Sequence, residues 1–346
     1  MGQICAQAGA RTALDLFTGT TRVAQEFKRQ GAHVTAVDTA RYAEVFAQTY
    51  VALDADSVDR RALEDALADL AGRPDVDGYV TETFCRQSRF FQPHNGRRID
   101  AIRAAIELDY RDSWMYPVLL TSLIEAADRV DSTTGVQMAY VKQWAPRSFQ
   151  PLELRIPELV AGTGTAIRAD ACDAVRTLGH FDIAYFDPPY NQHRYFTNYH
   201  VWETFVAWDA PEHYGVACKR VDARDGATKS VFNERRGMAP ALAQVIRDVD
   251  AELVVVSYNN EAWITAEELD AMCRTRGVDV RMFEFDSRRY VGAQIGIHNP
   301  RGEKVGKVSH LRNVEYVVCA GDAALLDAIE LGAQSGPTQA AHDLAR

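Results

Sequence analysis

The sequence predicts an α/β fold built on a mostly parallel sheet with a largely helical insertion. Strand and helix patterns alternate near the amino terminus and again in the second half of the chain, and helical patterns fill the stretch between them. Such alternation is typical of parallel sheets covered by crossover helices. The chain has 346 residues, 47% of them apolar, which is enough for one large domain or two smaller ones.

The first predicted unit is a strand, a turn, a helix and a second strand. Residues 12–17 form the first strand pattern, Gly19 lies in the turn, and Gly31 closes the helical pattern. The second strand, residues 33–37, runs into Asp38. A glycine in the turn lets a ligand approach the backbone, and the start of the helix presents free N–H groups.

Asp38 follows this turn by about twenty residues, the distance at which an acid binds ribose hydroxyls in a βαβ unit. The turn has a single glycine, so a dinucleotide-binding fingerprint is not met and an NAD-linked dehydrogenase is disfavoured. Taken singly, an ordinary tight turn explains Gly19, and a solvated strand end explains Asp38.

The remaining elements divide the chain into a core and an insertion. Helical patterns cover residues 58–71 and two segments within 99–130 that separate near Pro117. Strand patterns follow at 165–170, 181–186, 253–257, 280–285 and 314–318. We therefore predict a core made of residues 1–40 and 160–330, an inserted helical region at 41–159, and a flexible tail at 331–346.

The most informative motif, Asp187-Pro188-Pro189-Tyr190, directly follows the apolar strand 181–186. A carboxylate at the carboxyl end of a parallel strand lies where α/β proteins bind their ligands. The prolines stiffen the turn and leave their carbonyls free to accept hydrogen bonds, and Tyr190 adds a flat ring. These groups suit a planar base with an exocyclic amino group. The alternative is a strand that ends in a Pro-Pro turn with a surface tyrosine.

The two motifs together resemble those of the Dam-like adenine-N6-specific DNA methyltransferases, which use S-adenosylmethionine. The Phe-x-Gly-x-Gly cofactor motif of that family corresponds to Phe17-Thr18-Gly19-Thr20-Thr21, and its Asp-Pro-Pro-Tyr motif is complete at 187–190. Thr21 replaces the last glycine, where its side chain would either crowd the methionine end of the cofactor or hydrogen-bond to it. The resemblance covers most of residues 11–320 and includes three further stretches, at 191–195, 208–215 and 257–261.

This resemblance implies a Rossmann-like methyltransferase core that moves a methyl group from S-adenosylmethionine to the N6 amine of a flipped adenine in DNA. It assigns catalysis to Asp187, Pro188, Pro189 and Tyr190. It assigns cofactor binding to Asp15, Phe17, Thr18, Gly19, Thr20, Asp38, Asp170 and Asp187. Asp170 would lie near the cofactor's adenine, a role compatible with capping the helix that follows. The insertion would be the target-recognition region, although its helical character equally suits a lid or a dimer surface.

The formal net charge of −10 argues mildly against nucleic-acid binding, so the distribution of charge matters more than its sum. Basic stretches flank the two motifs, and each is equally explained by a solvated surface. Phe90 and Phe91 lie among the first arginines, where they would either stack on bases or form the apolar face of a helix. The predicted DNA-binding residues are Arg86, Arg89, Arg97, Arg98, Arg194, Arg288, Arg289, Lys304 and Lys307.

Composition favours a cytoplasmic protein. No apolar run approaches the length of a membrane span, and no basic segment followed by an apolar stretch begins the chain. Six scattered cysteines without a Cys-x-x-Cys pair argue against a zinc site and against a disulfide framework. The implied chemistry needs no metal. DNA is the expected partner, with a cognate restriction endonuclease as a second one.

Several other functions share parts of this pattern. A cytosine-N4 DNA methyltransferase has the same chemistry but more usually carries Ser in place of Asp187. Some RNA base methyltransferases also use Asp-Pro-Pro-Tyr, and a protein-glutamine methyltransferase usually has Asn at its first position. From a different class, a cofactor-binding regulatory DNA-binding protein would keep the fold without turnover. The complete motif at 187–190 argues against that last alternative.

Overall fold

The computed structural model describes residues 1–192, 194–288 and 312–331. Its main feature is a seven-stranded sheet with the strand order β3-β2-β1-β4-β7-β9-β8. The first five strands in this order are parallel, and β9 runs antiparallel to both β7 and β8. The strands are β1 (Thr12–Asp15), β2 (His33–Asp38), β3 (Gly164–Arg168), β4 (Phe181–Phe186), β7 (Ala251–Asn259), β8 (Asp279–Arg288) and β9 (Arg312–Gly321), and a separate hairpin joins β5 (His213–Tyr214) to β6 (Lys219–Arg220).

Helices cover both faces of the sheet. They are α1 (Gly2–Gln7), α2 (Arg22–Arg29), α3 (Arg41–Ala47), α4 (Arg60–Gly72), α5 (Pro93–Asp109), α6 (Tyr116–Arg129), α7 (Ala171–Thr177), α8 (Tyr195–Asn198), α9 (His200–Ala207), α10 (Met238–Asp248), α11 (Ala266–Arg274) and α12 (Ala323–Asp327). Pro93 and Pro117 lie in first turns, where a missing N–H costs nothing. The predicted α/β core with a mostly parallel sheet is confirmed.

The two sheet faces bury different side chains of the same strands. Ala13, Ile183 and Val255 belong to one hydrophobic cluster, whereas their neighbours Leu14 and Ala184 belong to the other. This alternation explains why β4 and β7 appear in the sequence as near-continuous apolar runs, since both of their faces are covered.

The order in which the chain adds strands to the sheet reverses between the parallel strands β1 and β4, and this switch point is where a ligand crevice is expected. The chain continues from β1 outward through β2 to β3, and from β4 outward in the opposite direction to β7. Asp15 is paired with Tyr185, and the Leu16 N–H donates to the Tyr185 carbonyl at 3.1 Å. In open α/β sheets, ligands bind at the carboxyl ends of the strands beside such a switch point. The ends of β1 and β4 carry Asp15 and Asp187.

The segment between β2 and β3 is largely helical and packs directly on the sheet. Its first helix, α3, contacts β2, β3 and α9, and α6 contacts α3. Val45 of α3 and Leu123 of α6 share one hydrophobic cluster with Ala13 of β1. The division into core, 41–159 region and tail stays a prediction, and residues 332–346 lie outside the described part of the chain.

Other sequence predictions concern side-chain burial. Phe90 and Phe91 are buried in the core, and Phe91 stacks on Phe205, so neither ring is available to bases. The base-stacking interpretation is therefore wrong, and the helix-face alternative is also wrong, since the two buried rings lie between the helical segments Thr81–Gln87 and Pro93–Asp109. The six cysteines are free thiols. In the part of the chain that the structure describes, no helix combines the length and apolar character that crossing a membrane would require.

Candidate active site

The turn after β1 is fixed by hydrogen bonds to the end of β2. The Thr18 N–H donates to the Val37 carbonyl at 3.0 Å, and the Gly19 N–H donates to Asp38 Oδ2 at 3.0 Å. Asp38 Oδ1 accepts the Ala40 N–H at 2.9 Å. Burial raises the pKa of Asp38, although these N–H groups act in the opposite direction. The Asp38 carboxylate thus fixes the conformation of the turn after β1 through its bond to the Gly19 N–H.

Gly19 meets a conformational requirement. Its φ is +48°, in the left-handed region, and the nearest atom to an added Cβ is the Phe17 carbonyl oxygen at 4.0 Å. The space beside its Cα is therefore open, and backbone conformation rather than crowding favours glycine there. This open space leaves room for a ligand against the turn.

Asp15 lies beneath this turn and supports it. Its side chain is 1% exposed, and Oδ2 accepts from Thr18 Oγ1 at 2.9 Å and from the Ala24 N–H at 3.1 Å. The second bond satisfies an N–H in the first turn of α2. Oδ1 is buried and has no hydrogen-bond partner among the described residues. The pKa of Asp15 is raised to about 7, mainly by burial and also by the charge of Asp187, whereas the hydrogen bond from Thr18 acts in the opposite direction.

Thr21, where the resembled family has glycine, adopts a conformation that favours glycine. It has a φ of 64° and is fully buried at the start of α2. Its Oγ1 donates to the Thr20 carbonyl at 2.7 Å and accepts from Gln25 Nε2 at 2.9 Å. A left-handed conformation is rare for a β-branched residue. The family's glycine therefore corresponds to a backbone requirement that this chain meets with a strained threonine.

Asp170 and Phe17 complete the predicted cofactor side. The Ala169 N–H donates to the Asp38 carbonyl at 3.0 Å, which brings the ends of β2 and β3 together. Asp170 Oδ1 accepts the Cys172 N–H at 2.8 Å, so the predicted helix cap is confirmed. Phe17 packs edge-on against Phe232 with ring centroids 4.9 Å apart.

Asp187 lies across the switch point from Asp15. Its side chain reaches solvent, but the protein around it limits hydration and raises its pKa to about 7, and the charge of Glu315 on β9 adds to the effect. A carboxyl group with this pKa can both accept a hydrogen bond and take up a proton near neutral pH.

The rest of the motif is anchored to the core. Pro188 is buried, and Tyr190 is half-buried against the hydrophobic cluster that contains Phe186. The Asn191 carbonyl accepts from Asn233 Nδ2 at 2.9 Å. Because Asn233 follows Phe232, the short 231–233 segment contacts both the catalytic-motif side and the Phe17 side of the crevice.

Sequence reasoning gave no role to an aromatic stack just after the motif. The rings of Tyr195 and Tyr199 are nearly parallel, with centroids 6.3 Å apart, and Tyr199 stacks on Trp202 at 4.6 Å. Trp202 is almost buried, whereas Tyr195 is 45% exposed. Tyr199 lies between α8 and α9, and the spacings of four and three residues were the available signal that these aromatics come together.

Three of the predicted DNA-binding arginines are engaged by acids. Arg86 pairs with Asp77 at 2.7 Å, Arg97 lies 3.9 Å from Asp75, and Arg98 lies 3.1 Å from the same acid. Asp75 and Asp77 precede the basic stretch in the sequence and reach its arginines in the fold. Their role in DNA binding stays a prediction.

The other predicted DNA-binding residues differ in their surroundings. Arg89 donates to the Lys142 carbonyl at 2.6 Å and lies over the Trp144 ring. Arg194 donates to the Ala223 carbonyl at 3.2 Å. Arg288 is the last residue of β8, and its side chain is not described. Outside the described residues lie Arg289, Lys304 and Lys307.

Comparison with known proteins places this geometry among DNA methyltransferases. Residues 2–272 match the D12 class N6 adenine-specific DNA methyltransferase family. The chain is 29% identical over 265 residues to the type II methyltransferase M.NlaIII of Neisseria lactamica, covering 74% of this chain and 77% of that protein. It is 28% identical over 281 residues to the modification methylase StsI of Streptococcus sanguinis, covering 77% of this chain but 42% of that protein. It is also 31% identical over 212 residues to the type II methyltransferase M.CviAII of Paramecium bursaria Chlorella virus 1, covering 58% of this chain and 61% of that protein.

Proposed function

The chain belongs to the D12 class N6 adenine-specific DNA methyltransferase family, and from this premise we propose which of its residues carry the reaction. The reaction moves a methyl group from S-adenosylmethionine to the N6 amine of adenine in DNA. The observation that carries the proposal is the placement of Asp15 and Asp187 at the carboxyl ends of adjacent strands, on the two sides of one crevice.

Asp15 and the turn above it would hold the cofactor. A buried carboxylate oxygen without a partner is rare, since buried polar atoms are normally hydrogen-bonded. A positively charged ligand would compensate the buried Asp15 carboxylate, and the residues present therefore fit S-adenosylmethionine. When bound, it supplies a methyl group on a positively charged sulfur. Thr18, Gly19 and Thr20 would border it.

Asp38 and Asp170 would bind the other end of the cofactor. Both residues lie at the ends of adjacent strands, where the Asp38 carboxylate accepts two backbone N–H groups and the Asp170 carboxylate accepts one, and these bonds fix their orientation. Carboxylate oxygens have further lone pairs that accept hydrogen bonds from ribose hydroxyls or from an adenine amine. Phe17, held by Phe232, would supply an apolar wall beside them.

Asp187 and Pro188 would activate the adenine. An amine inside a duplex is out of reach, so the base must swing out of the stack. The Asp187 carboxylate and the Pro188 carbonyl then accept hydrogen bonds from the two N–H groups of the exocyclic amine, which concentrates electron density on nitrogen, and Pro189 keeps the turn rigid. Tyr190 stacks on the base. Positioning and electrostatics provide most of the rate.

The raised pKa of Asp187 suits the end of the reaction. N6 must lose a proton once it carries the methyl group, and a carboxylate whose conjugate acid has a pKa of about 7 is a competent acceptor near neutral pH. Asp187 therefore polarises the amine first and accepts its proton later.

We further propose that residues 41–159 form the target-recognition region and that the predicted basic residues contact DNA. The relatives are named as type II methyltransferases and modification methylases, which supports a restriction–modification setting in the cytoplasm with a cognate endonuclease as partner. Co-expression of the methyltransferase should protect host DNA from such an endonuclease.

Methyl transfer from labelled S-adenosylmethionine tests the residue roles. Unmethylated genomic DNA and total RNA are incubated with the wild type and with Asp187→Ala, and nucleosides are analysed by mass spectrometry. We expect label in 6-methyladenine of DNA with the wild type only, while both proteins bind cofactor. Turnover by Asp187→Ala would refute the assignment of Asp187, and label in 4-methylcytosine or RNA would overturn the proposed substrate.

A further inference from the structure

A cleft of about 370 Å³ lies beside the catalytic motif and outside the crevice described above. One wall is formed by the chain that leaves the motif, with Gln192, Arg194 and Asn198. The facing wall is formed by the hairpin strand β5 and the turns after β6, with Tyr214, Arg224 and Lys229. Gln192 comes two residues after Tyr190, so this cleft begins where the proposed base-binding site ends.

The charge of the cleft is opposite to that of the whole chain. It has three cationic residues, Arg194, Arg224 and Lys229, and no acid is among the described residues that line it. Within residues 1–192, 194–288 and 312–331, no acid lies within ion-pairing distance of these three side chains, in contrast to Arg86 and Arg98. In a chain with a net charge of −10, such a site is a local attractor for anions.

Two of the three cations, Arg194 and Arg224, make contacts that orient them before any ligand binds. The Arg224 guanidinium lies 3.6 Å from the centre of the Tyr214 ring, and Arg194 donates to the Ala223 carbonyl, which precedes Arg224. The hairpin is fixed by Arg220, whose guanidinium makes two bonds to Asp209 at 2.8 and 2.7 Å and a third to Asp222 at 2.7 Å. Arg220 is 2% exposed and therefore serves the scaffold, which leaves Arg224 and Lys229 to meet a ligand.

We propose that this cleft binds the phosphate backbone of the DNA strand next to the target adenine. Planar guanidinium groups and lysines neutralise phosphates, and amide side chains such as Gln192 and Asn198 add hydrogen bonds to phosphate or sugar. The site would hold the strand while the adenine turns toward Tyr190. The proposal rests on the proposed function, since it takes Tyr190 as the neighbour of the flipped base.

The test measures DNA affinity against salt for Arg224→Ala, Lys229→Ala and the double variant. Arg247→Ala is the matched control, because Arg247 is an exposed cation at the end of α10, next to the amino end of β7 and thus at the opposite edge of the sheet. Each cleft cation removed should lower the slope of log affinity against log salt by about one. The ratio of wild-type to variant DNA affinity should then be larger at 50 mM than at 200 mM KCl, by roughly threefold for each cation removed. Arg247→Ala should match the wild type.

Replacing single DNA phosphates by uncharged methylphosphonates identifies the phosphate that the cleft contacts. Once the methylated sequence is known, single methylphosphonates replace the phosphates that flank the target adenine. The substitution at the contacted phosphate should weaken binding by the wild type but not by the double variant. Salt slopes of the cleft variants equal to that of Arg247→Ala would refute the cleft, as would equal sensitivity of both proteins to every methylphosphonate. Absence of 6-methyladenine in DNA treated with the wild type would instead refute the proposed function.

Discussion

The carboxyl group of Asp187 lies close enough to that of Asp15 to raise its pKa, although the two residues belong to different strand–turn units of the chain. The parallel pairing of β1 with β4 is the cause, because it sets Asp15 against Tyr185, two residues before Asp187. The pKa values of both carboxyl groups rise to about 7. The two sides of one crevice therefore carry carboxyl groups whose pKa values are both raised toward neutral pH.

Cofactor affinity should depend on pH. A positively charged ligand favours the ionised carboxylates, so its binding should release protons, and affinity should rise as pH increases from 6 to 8. One group with a pKa of about 7 gives up to about a tenfold change per pH unit below that value. Calorimetry in two buffers of different ionisation enthalpy measures the released protons. Asp15→Asn should release fewer, and equal proton counts would contradict this role.

Asp15 should also make the free protein less stable as pH rises. Its pKa in the folded state, about 7, is above the ordinary value of 3.8, so between these values the folded state holds a proton that the unfolded state does not. The free energy of unfolding therefore falls as pH rises from 4 through 7, by roughly 4 kcal/mol for this shift. In urea unfolding, Asp15→Asn should show a flatter dependence, and parallel curves would contradict the shift.

The strands of the sheet and the position of the 187–190 motif could be predicted from the sequence, because both depend on local patterns of residues. Apolar runs marked β4 and β7, and Asp187 followed one of them directly. The neutralisation of Arg86 and Arg98 was not predictable, because Asp77 and Asp75 reach them only after the 73–78 segment folds beside α5. Arg224 lies in one of the basic stretches that the sequence marks beside the motifs, but its position against the Tyr214 ring depends on the folded hairpin and could not be predicted.

The two side chains of the catalytic motif should respond differently to substitution. Asp187→Ala should abolish methyl transfer and leave cofactor binding nearly intact, and Asp187→Asn should also be strongly impaired because an amide cannot take up the proton. Tyr190→Phe should retain activity because stacking survives, whereas Tyr190→Ala should weaken base flipping. Fluorescence of 2-aminopurine at the target position measures flipping. Equal impairment of both Tyr190 variants would show that the hydroxyl matters and that stacking is the wrong explanation.

Thr21 allows a test of backbone strain. Thr21→Gly removes a left-handed conformation that costs roughly 1–2 kcal/mol, but it also loses the bond from Gln25, worth about 1 kcal/mol, and adds chain entropy to the unfolded state. Its melting temperature should therefore change little. Thr21→Val loses the same bond and keeps the strain, so it should be less stable than Thr21→Gly by roughly 1 kcal/mol. Equal destabilisation of the two variants would show that φ is not what glycine satisfies at this position.

Arg98 should matter for stability in a way that its neighbour Arg97 does not. Arg98 donates to the carbonyls of Leu70 and Ala71 at 3.2 and 2.9 Å and also to that of Arg73, so it pairs carbonyls that the end of α4 leaves open. Arg98→Ala should lower the free energy of unfolding by roughly 1–3 kcal/mol.

Arg97→Ala removes the same charge from the adjacent position, where the ion pair with Asp75 is wide at 3.9 Å and solvent-exposed, and such pairs contribute about 0–1 kcal/mol. Thermal unfolding and DNA affinity are measured on both variants. A loss of stability confined to Arg98→Ala, with unchanged DNA affinity, would place Arg98 in the scaffold. A similar loss of DNA affinity and of salt dependence in both variants would support the predicted DNA contacts, since phosphate must then displace Asp75 from each arginine.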